Sequence, residues 1–130
     1  MNEKMSAETN AINWFEIPAT DLVRAKKFYE QIFEIKMEET EMPGMKYAMF
    51  PFNPMKGNVS GGLAQSDMHK PGMTGSIIYL NANPDLQNVL DRIEKAGGKI
   101  TMPKTPIGQN GFMAFITDTE GNIMGLHSNT

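Results

Sequence analysis

A carboxylate within an apolar segment is the residue best suited to chemistry in this sequence. Glu16 stands in the stretch Trp14-Phe15-Glu16-Ile17, which is otherwise apolar. Apolar surroundings favour the neutral form of a carboxyl group, and such a group can serve as a general acid or base. The alternative is structural, because Glu16 could form an ion pair with a nearby Lys or Arg and so fix its strand.

Two histidines are the other candidates for proton transfer or metal binding. His127 could join Glu16 as a proton shuttle or as part of an improvised metal site, although it lies near the end of the sequence, where exposure is common. His69 stands beside Lys70 and Pro71 and is more typical of a surface histidine. The chain has no cysteine, which excludes disulfides, thiolate metal sites and cysteine nucleophiles. The spacing of these residue types predicts no nucleophilic triad, and the sequence contains no phosphate-binding glycine loop.

Trp14 is the single tryptophan of the chain. Its ring could stack on a planar ligand while its indole N–H donates a hydrogen bond, or it could simply pack in the core. Side chains alternate along a strand, so Trp14 and Glu16 are expected to share one face. The chain also has 12 methionines, which could reflect composition alone or line an adaptable ligand cavity.

Charge and hydropathy exclude several classes of function. The formal net charge is −3, and the Lys and Arg residues are scattered, unlike the basic stripe of a protein that binds nucleic acid. The first residues are polar and no apolar segment is long enough to span a bilayer. We therefore expect a cytoplasmic protein without nucleic-acid or membrane partners, and 130 residues fit one domain.

The two halves of the chain repeat at a fixed offset of 64 residues. Asp21-Leu22 aligns with Asp85-Leu86, and the segment 57–61 (GNVSG) aligns with 121–125 (GNIMG). The matches fall at a helix start and in a glycine turn, where a repeated structure requires particular residues. We expect one domain over residues 10–129, with modules 11–66 and 75–129, a linker near 68–75 and a flexible segment 1–9.

Periodicity predicts the same order of elements, β-α-β-β-β, in each half. Asp21 is expected to cap the first helix, and Asn83 to cap the second with Pro84 in its first turn. Apolar faces are predicted at Leu22, Ala25, Tyr29 and Ile32, and at Leu86, Val89, Leu90, Ile93 and Ala96. The predicted strands are 12–17, 35–41, 47–52 and 59–65 in the first half, and 76–80, 99–102, 112–117 and 123–128 in the second.

A tandem β-α-β-β-β repeat of this length resembles the vicinal oxygen chelate superfamily, which comprises glyoxalases, bleomycin-resistance proteins and extradiol dioxygenases. The resemblance extends over about residues 10–129 and rests on three phrases. The first is FEIP (15–18), followed by Asp21 and by the segments 24–25 and 28–29. The second is AGGK (96–99), and the third is DTEGN (118–122). It implies an α+β fold in which the two modules form a curved, cup-like mixed sheet with helices on the convex face.

The resemblance also indicates where a metal would be held. Metal-dependent members carry ligands on the first and last strands of each module, and these positions fall on Trp14, Gly61, Ile78 and Gly125. None of these side chains can ligate a metal, and a slip of one residue does not restore a His and Glu set. We therefore expect a degenerate metal site and no cofactor.

By this alignment the cup would be lined mainly by aromatic and apolar residues. The predicted lining residues are Trp14, Glu16, Tyr47, Met49, Gly61, Ile78, Leu80, Met113, Phe115 and Gly125. The first hypothesis is a metal-free protein that binds a small, mostly apolar molecule, and its resemblance to the bleomycin-resistance branch implies a homodimer. The second is a glyoxalase-like lyase or isomerase, or a dioxygenase-related enzyme, with Glu16 as base and with or without a metal held by Glu16 and His127. The third is a structural or interaction module.

Overall fold

The computed structural model describes residues 3–130. Residues 1 and 2, part of the expected flexible segment, lie outside the described residues. The strands are β1 (Trp14–Pro18), β2 (Glu38–Met42), β3 (Met45–Met49), β4 (Ser60–Gln65), β5 (Tyr79–Asn81), β6 (Lys99–Pro106), β7 (Phe112–Thr117) and β8 (Ile123–Ser128). The helices are α1 (Leu22–Phe33) and α2 (Leu86–Ile93), and neither is long and apolar enough to cross a membrane.

Helix α1 forms where the sequence predicts it. The Asp21 carboxylate accepts a hydrogen bond from the Arg24 backbone N–H at 3.1 Å, which satisfies an otherwise free donor in the first turn. All four predicted apolar residues are buried, and Phe28 is buried beside them. Glu34 ends the helix in the left-handed conformation, with its N–H donating to the Glu30 carbonyl.

Helix α2 begins two residues later than predicted. Its N-cap is Asp85, whose side chain accepts from the Gln87 N–H at 2.9 Å. Asn83 is not the cap, because its side-chain oxygen accepts instead from the Asn129 N–H at 2.7 Å. The start of α2 thus matches that of α1, with an aspartate in each case.

The strands form two mixed four-stranded sheets. The strand orders are β1-β4-β3-β2 and β5-β8-β7-β6. In each sheet the first strand of the half runs parallel to the last, while the remaining pairs are antiparallel. This is the α+β architecture predicted from the sequence, and its two open sheets fit a cup-like shape.

One hydrophobic core joins both halves. It contains the apolar faces of α1 and α2 together with one face of each sheet, and the two helices contact each other directly. The fully buried aromatic residues Phe28 and Tyr29 stack edge to face within it, with ring centroids 4.9 Å apart. We use the term open face for the side of each sheet that is turned away from this core.

The turn between β7 and β8 ties the second half to the first. Tyr29 donates to the Asp118 carboxylate at 2.7 Å, and Asn122 donates its amide to the Pro18 carbonyl at 2.8 Å. Glu120 binds Arg24 through two hydrogen bonds and also accepts from the Thr20 and Asp21 backbone N–H groups. The segment 118–122 (DTEGN) therefore holds the start of α1 in place.

The single offset of 64 implied a repeat without gaps. The structure shows instead that the two halves differ by one inserted residue. The hydrogen bond from Ala19 N–H to Ala64 in the first half corresponds to that from Ala82 N–H to His127 in the second, which is an offset of 63. The capping aspartates are 64 apart because the second half has one more residue between its first strand and its helix. This one-residue difference decides which side chains of β5 reach the open face.

Candidate functional site

The open face of the first sheet carries the tryptophan and the carboxylate singled out from the sequence. Trp14 and Glu16 alternate on β1 with Ile17, which is buried in the core. Glu16 lies level with Gly62 on β4, and Met49 on β3 lies on the other side of Gly62. Tyr47 shares this face and is buried beneath its neighbours.

Trp14 and Tyr47 form a hydrogen-bonded aromatic pair. The indole N–H donates to the Tyr47 hydroxyl at 2.6 Å, and the Trp14 ring meets Phe52 edge to face at 5.5 Å. Burial raises the pKa of the Tyr47 phenol, the indole hydrogen bond opposes this, and the nearby Glu16 carboxylate raises it further. Tyr47 therefore remains a neutral hydroxyl next to Glu16.

The open face of the second sheet is formed by aromatic and polar side chains around Gly125. Tyr79 lies level with Gly125, and Phe115 flanks Gly125 from β7. The Tyr79 and Phe115 rings are 5.9 Å apart. Met113 lies level with His127, and both line a groove of about 520 Å³ together with Tyr79 and Asn110.

Three of the predicted lining residues belong to the core side instead. Leu80 is buried in the core and Ile78 packs against it, so Tyr79 takes the place on the open face that they were expected to fill. Gly61 also faces the core, where the Phe15 ring covers it. The cause is the offset of 63 in the strands, which makes Gly62 and not Gly61 the counterpart of Gly125.

Tyrosine rings cover Gly62 and Gly125, the two glycines that take the last-strand positions once the offset is corrected to 63. A Cβ atom at Gly62 would lie 2.6 Å from the Tyr47 ring, and one at Gly125 would lie 2.5 Å from the Tyr79 ring. A glutamate at either position would require its tyrosine to move. The corrected first-strand positions are Trp14 and Ile77, which have no ligating atoms either.

These residues do not fit a divalent metal. Within residues 3–130 no group of three or more His, Asp or Glu side chains could hold a metal ion. Glu16 and His127 are on different sheets, and each has another partner. The His127 Nε2–H group donates to the Asn110 carbonyl at 2.7 Å, whereas Glu16 binds a different histidine.

That histidine is His69, which the sequence favoured as a simple surface residue. Its Nε2 lies 2.7 Å from the Glu16 carboxylate, and its Nδ1 lies 2.7 Å from the Ser66 hydroxyl. A Lys or Arg was expected as the partner of Glu16, and a histidine takes that place instead. Ser66 follows directly after β4, whose parallel pairing with β1 brings it close to Glu16.

Sequence reasoning missed Tyr79 and Gly62 because of the one-residue offset, and it missed the roles of Ser66 and His69 for a second reason. It predicted the strands but did not derive their pairing, and only pairing brings residues 50 positions apart together. The available signal was the Ser-x-x-His spacing directly after β4. Combined with parallel pairing of β1 and β4, that spacing would have placed His69 next to Glu16.

The two linked β-α-β-β-β units, each an open mixed sheet with one helix, define the fold class of this chain. A family model of the Glyoxalase/Bleomycin resistance protein/Dioxygenase superfamily matches residues 11–125. The chain therefore belongs to this superfamily, as the resemblance had implied.

Individual relatives agree with this assignment. CFP32 of Mycobacterium tuberculosis, named as a candidate glyoxylase, is 33% identical over 117 residues, which cover 88% of this chain and 44% of CFP32. The chain thus spans less than half of that relative. A glyoxylase-like domain-containing protein of Didymella fabae is 31% identical, with 88% of this chain and 91% of the relative covered. A glyoxylase/bleomycin resistance protein/dioxygenase domain from Frankia has the same fold, with a TM-score of 0.71, 16% identity, and coverage of 95% and 100%.

Proposed function

We propose that this protein binds a small, mostly apolar organic molecule between two open faces without using a metal. The observation that carries the proposal is the pair of tyrosine rings over Gly62 and Gly125. They place flat aromatic surface at both symmetric positions. Aromatic surfaces of this kind stack on planar ligands and bury large apolar areas.

The polar groups of the two faces would orient such a ligand. Tyr47, Glu16 and His127 provide a hydroxyl, a carboxylate and an imidazole among apolar neighbours. Tyr79 is 49% exposed and Ile77 is 39% exposed, which leaves apolar surface available on the second face. A few polar groups within an apolar lining are the usual composition of small-molecule sites.

A second copy of the chain would complete the cup. The two halves are joined through α1 and α2 and through the turn between β7 and β8, and the groove at Tyr79 contains no residue of the first open face. We therefore propose a homodimer in which the first sheet of one copy faces the second sheet of its partner. Apolar side chains exposed on both open faces would be covered by this contact.

Fluorescence of the single tryptophan tests the binding proposal directly. Planar apolar compounds are expected to quench Trp14 in a saturable manner, and Tyr79→Ala is expected to weaken binding by roughly tenfold or more. Val23→Ala is the matched control, because Val23 is an exposed apolar residue on α1. Equal affinities for the parent protein and Tyr79→Ala would contradict the proposal.

Mixing two defective variants tests whether the site is shared. Trp14→Ala and Tyr79→Ala damage different sheets, so a mixed dimer would contain one cup with both residues intact. Co-refolding equal amounts of the two variants is expected to restore binding to about a quarter of the parental stoichiometry, because half of the dimers are mixed and each mixed dimer has one intact cup, with dimers seen by light scattering. A monomer, or mixing that restores nothing, would refute the shared site while leaving binding itself open to the fluorescence test.

Glu16 and His69 favour a second candidate function, namely a metal-independent enzyme. A carboxylate paired with an imidazole at 2.7 Å can fix the orientation and protonation state of the imidazole. The earlier hypothesis placed the base at Glu16, whereas the pairing makes His69 the group that would exchange the proton. A His69→Gln variant that binds ligand normally but no longer turns it over would support this candidate.

A further inference from the structure

A serine, a histidine and a carboxylate are linked in series at one end of the first sheet. Ser66 Oγ lies 2.7 Å from His69 Nδ1, and His69 Nε2 lies 2.7 Å from the Glu16 carboxylate. All three residues are partly exposed, with the His69 and Glu16 side chains 21% and 38% accessible. Such a series is recognised by its geometry and roles and not by the order of residues in the chain.

The hydrogen bonds fix a direction for proton movement. With its proton on Nε2, His69 donates to Glu16 and leaves Nδ1 free to accept from the Ser66 hydroxyl. The Met68 backbone N–H donates to the same hydroxyl oxygen at 3.1 Å, which holds Ser66 in this orientation. The serine thus meets the requirement for a nucleophile, since a base lies within hydrogen-bond reach and is itself oriented by a third group.

A groove of about 550 Å³ begins at this serine. Ser66 and His69 line it together with Met42 and Met45, and also with Lys46 and Lys70. Glu41 and Asp67 line it as well, so its two positive and two negative charges balance. A groove of this composition suits a small substrate without net charge.

We infer that Ser66, His69 and Glu16 form an acyl-transfer site that hydrolyses small uncharged esters. Ser66 Oγ attacks the carbonyl carbon as its proton passes to His69 Nδ1. The bond to the alcohol then breaks, and the alcohol leaves with that proton. Water attacks the resulting acyl-serine, gives a proton to Nδ1, and the carboxylic acid departs as Ser66 regains its hydrogen. Glu16 is a positioning residue, because it acts only through His69.

A serine-directed sulfonyl fluoride, with the labelled residue mapped by mass spectrometry, tests the nucleophile. Ser66 is expected to react faster than Ser60, Ser76 or any other serine. His69→Gln is expected to slow that labelling by roughly 100-fold, whereas Lys95→Gln, at an exposed residue outside both grooves, is the control and leaves it unchanged. Equal labelling of Ser66 in the parent protein and in His69→Gln would overturn the inference.

Turnover of p-nitrophenyl acetate supplies the second measurement. The parent protein is expected to form an acetyl adduct on Ser66 and to release p-nitrophenol in a burst followed by steady turnover. Ser66→Ala keeps the His69–Glu16 pair, so a folded Ser66→Ala protein with unchanged hydrolysis would also overturn the inference. Ligand quenching of Trp14 is a separate property, and its failure would refute binding at the open faces without affecting the esterase result.

Proton NMR separates the positioning role of Glu16 from a purely structural one. The imidazole Nε2–H proton that bonds to a carboxylate is expected far downfield, and Glu16→Gln is expected to move it upfield while slowing the labelling of Ser66. A Glu16→Gln protein with an unshifted imidazole proton and parental labelling would show that Glu16 does not act through His69.

Discussion

Tyr29 on α1 donates a 2.7 Å hydrogen bond to Asp118, 89 residues further along the chain. Both groups are buried, and the same carboxylate also accepts from the Glu120 and Asn122 backbone N–H groups. Burial raises the pKa of the Tyr29 phenol well above its ordinary value, and the Asp118 charge adds to this. The hydroxyl therefore stays protonated and remains a donor at neutral pH.

Removing that hydroxyl is expected to destabilise the fold. Tyr29→Phe leaves one lone pair of the buried Asp118 carboxylate without its donor, and this should lower the free energy of unfolding by about 1–3 kcal/mol. Urea denaturation measures the change. Tyr79→Phe is the control, since that tyrosine is half exposed and should change stability by no more than about 0.5 kcal/mol. Equal effects would show that the bond between the halves contributes nothing.

Glu120 makes stability depend on pH in the acid range. Burial by itself would raise the pKa of this carboxyl, but hydrogen bonds from Arg24, Asp21 and Thr119 together lower it below the ordinary 4.5. A carboxyl with a lowered folded-state pKa contributes stability above its unfolded value, and this is lost as pH falls through the folded one. Glu120→Gln should flatten the stability profile below pH 4.5, whereas the exposed Glu38→Gln should follow the parent.

Two glycine substitutions should differ in severity. An added Cβ at Gly62 meets the Ala48 carbonyl as well as the buried Tyr47 ring, so neither neighbour can yield easily. Gly62→Ala should therefore lower the free energy of unfolding by about 1–3 kcal/mol. At Gly125 the three atoms nearest to the added Cβ all belong to the ring of Tyr79, which is half exposed and can turn away, and Gly125→Ala should lower the free energy of unfolding by less than about 1 kcal/mol. Thermal and urea unfolding of both variants measures the two losses of stability. A larger loss for Gly125→Ala than for Gly62→Ala would contradict the prediction.

Divalent metals should leave the unfolding midpoint unchanged. A metal held at 100 times its dissociation constant by a native site would stabilise the fold by about 2.7 kcal/mol. Zinc, nickel, manganese and iron(II) are therefore to be added to chelator-treated protein during thermal unfolding, with elemental analysis of dialysed samples alongside. A stoichiometric metal with a raised midpoint would contradict the metal-free proposal.

The elements of this fold follow from local sequence, while the faces of its strands do not. Asp21 with its apolar helical spacing, and strands such as 112–117, depend on interactions within a few residues, so periodicity predicts them. The assignment of Ile78 and Leu80 to the open face failed because a single inserted residue after β5 reverses the face of every side chain upstream. No count of identical residues along one offset could detect that insertion.

The same distinction applies to the candidate site, where some features follow from local sequence and others depend on strand pairing. Trp14 and Glu16 could be predicted to share a face, because they are two residues apart on one strand. His69 could not be placed beside Glu16, because their contact depends on parallel pairing of β1 with β4 and on the turn that begins at Ser66. The chemistry of a single residue is visible in the sequence, but its partner depends on topology.

The turn between β7 and β8 has one more consequence. Asn122 donates to the Pro18 carbonyl, accepts from the Gly72 N–H and bonds to Asp118, while Glu120 binds the first turn of α1. The attachment between the halves is thus made of side-chain contacts and a shared core, and covalent continuity near Thr74 adds little to it. Two fragments produced by a cut at that point should reassemble into the native fold when mixed.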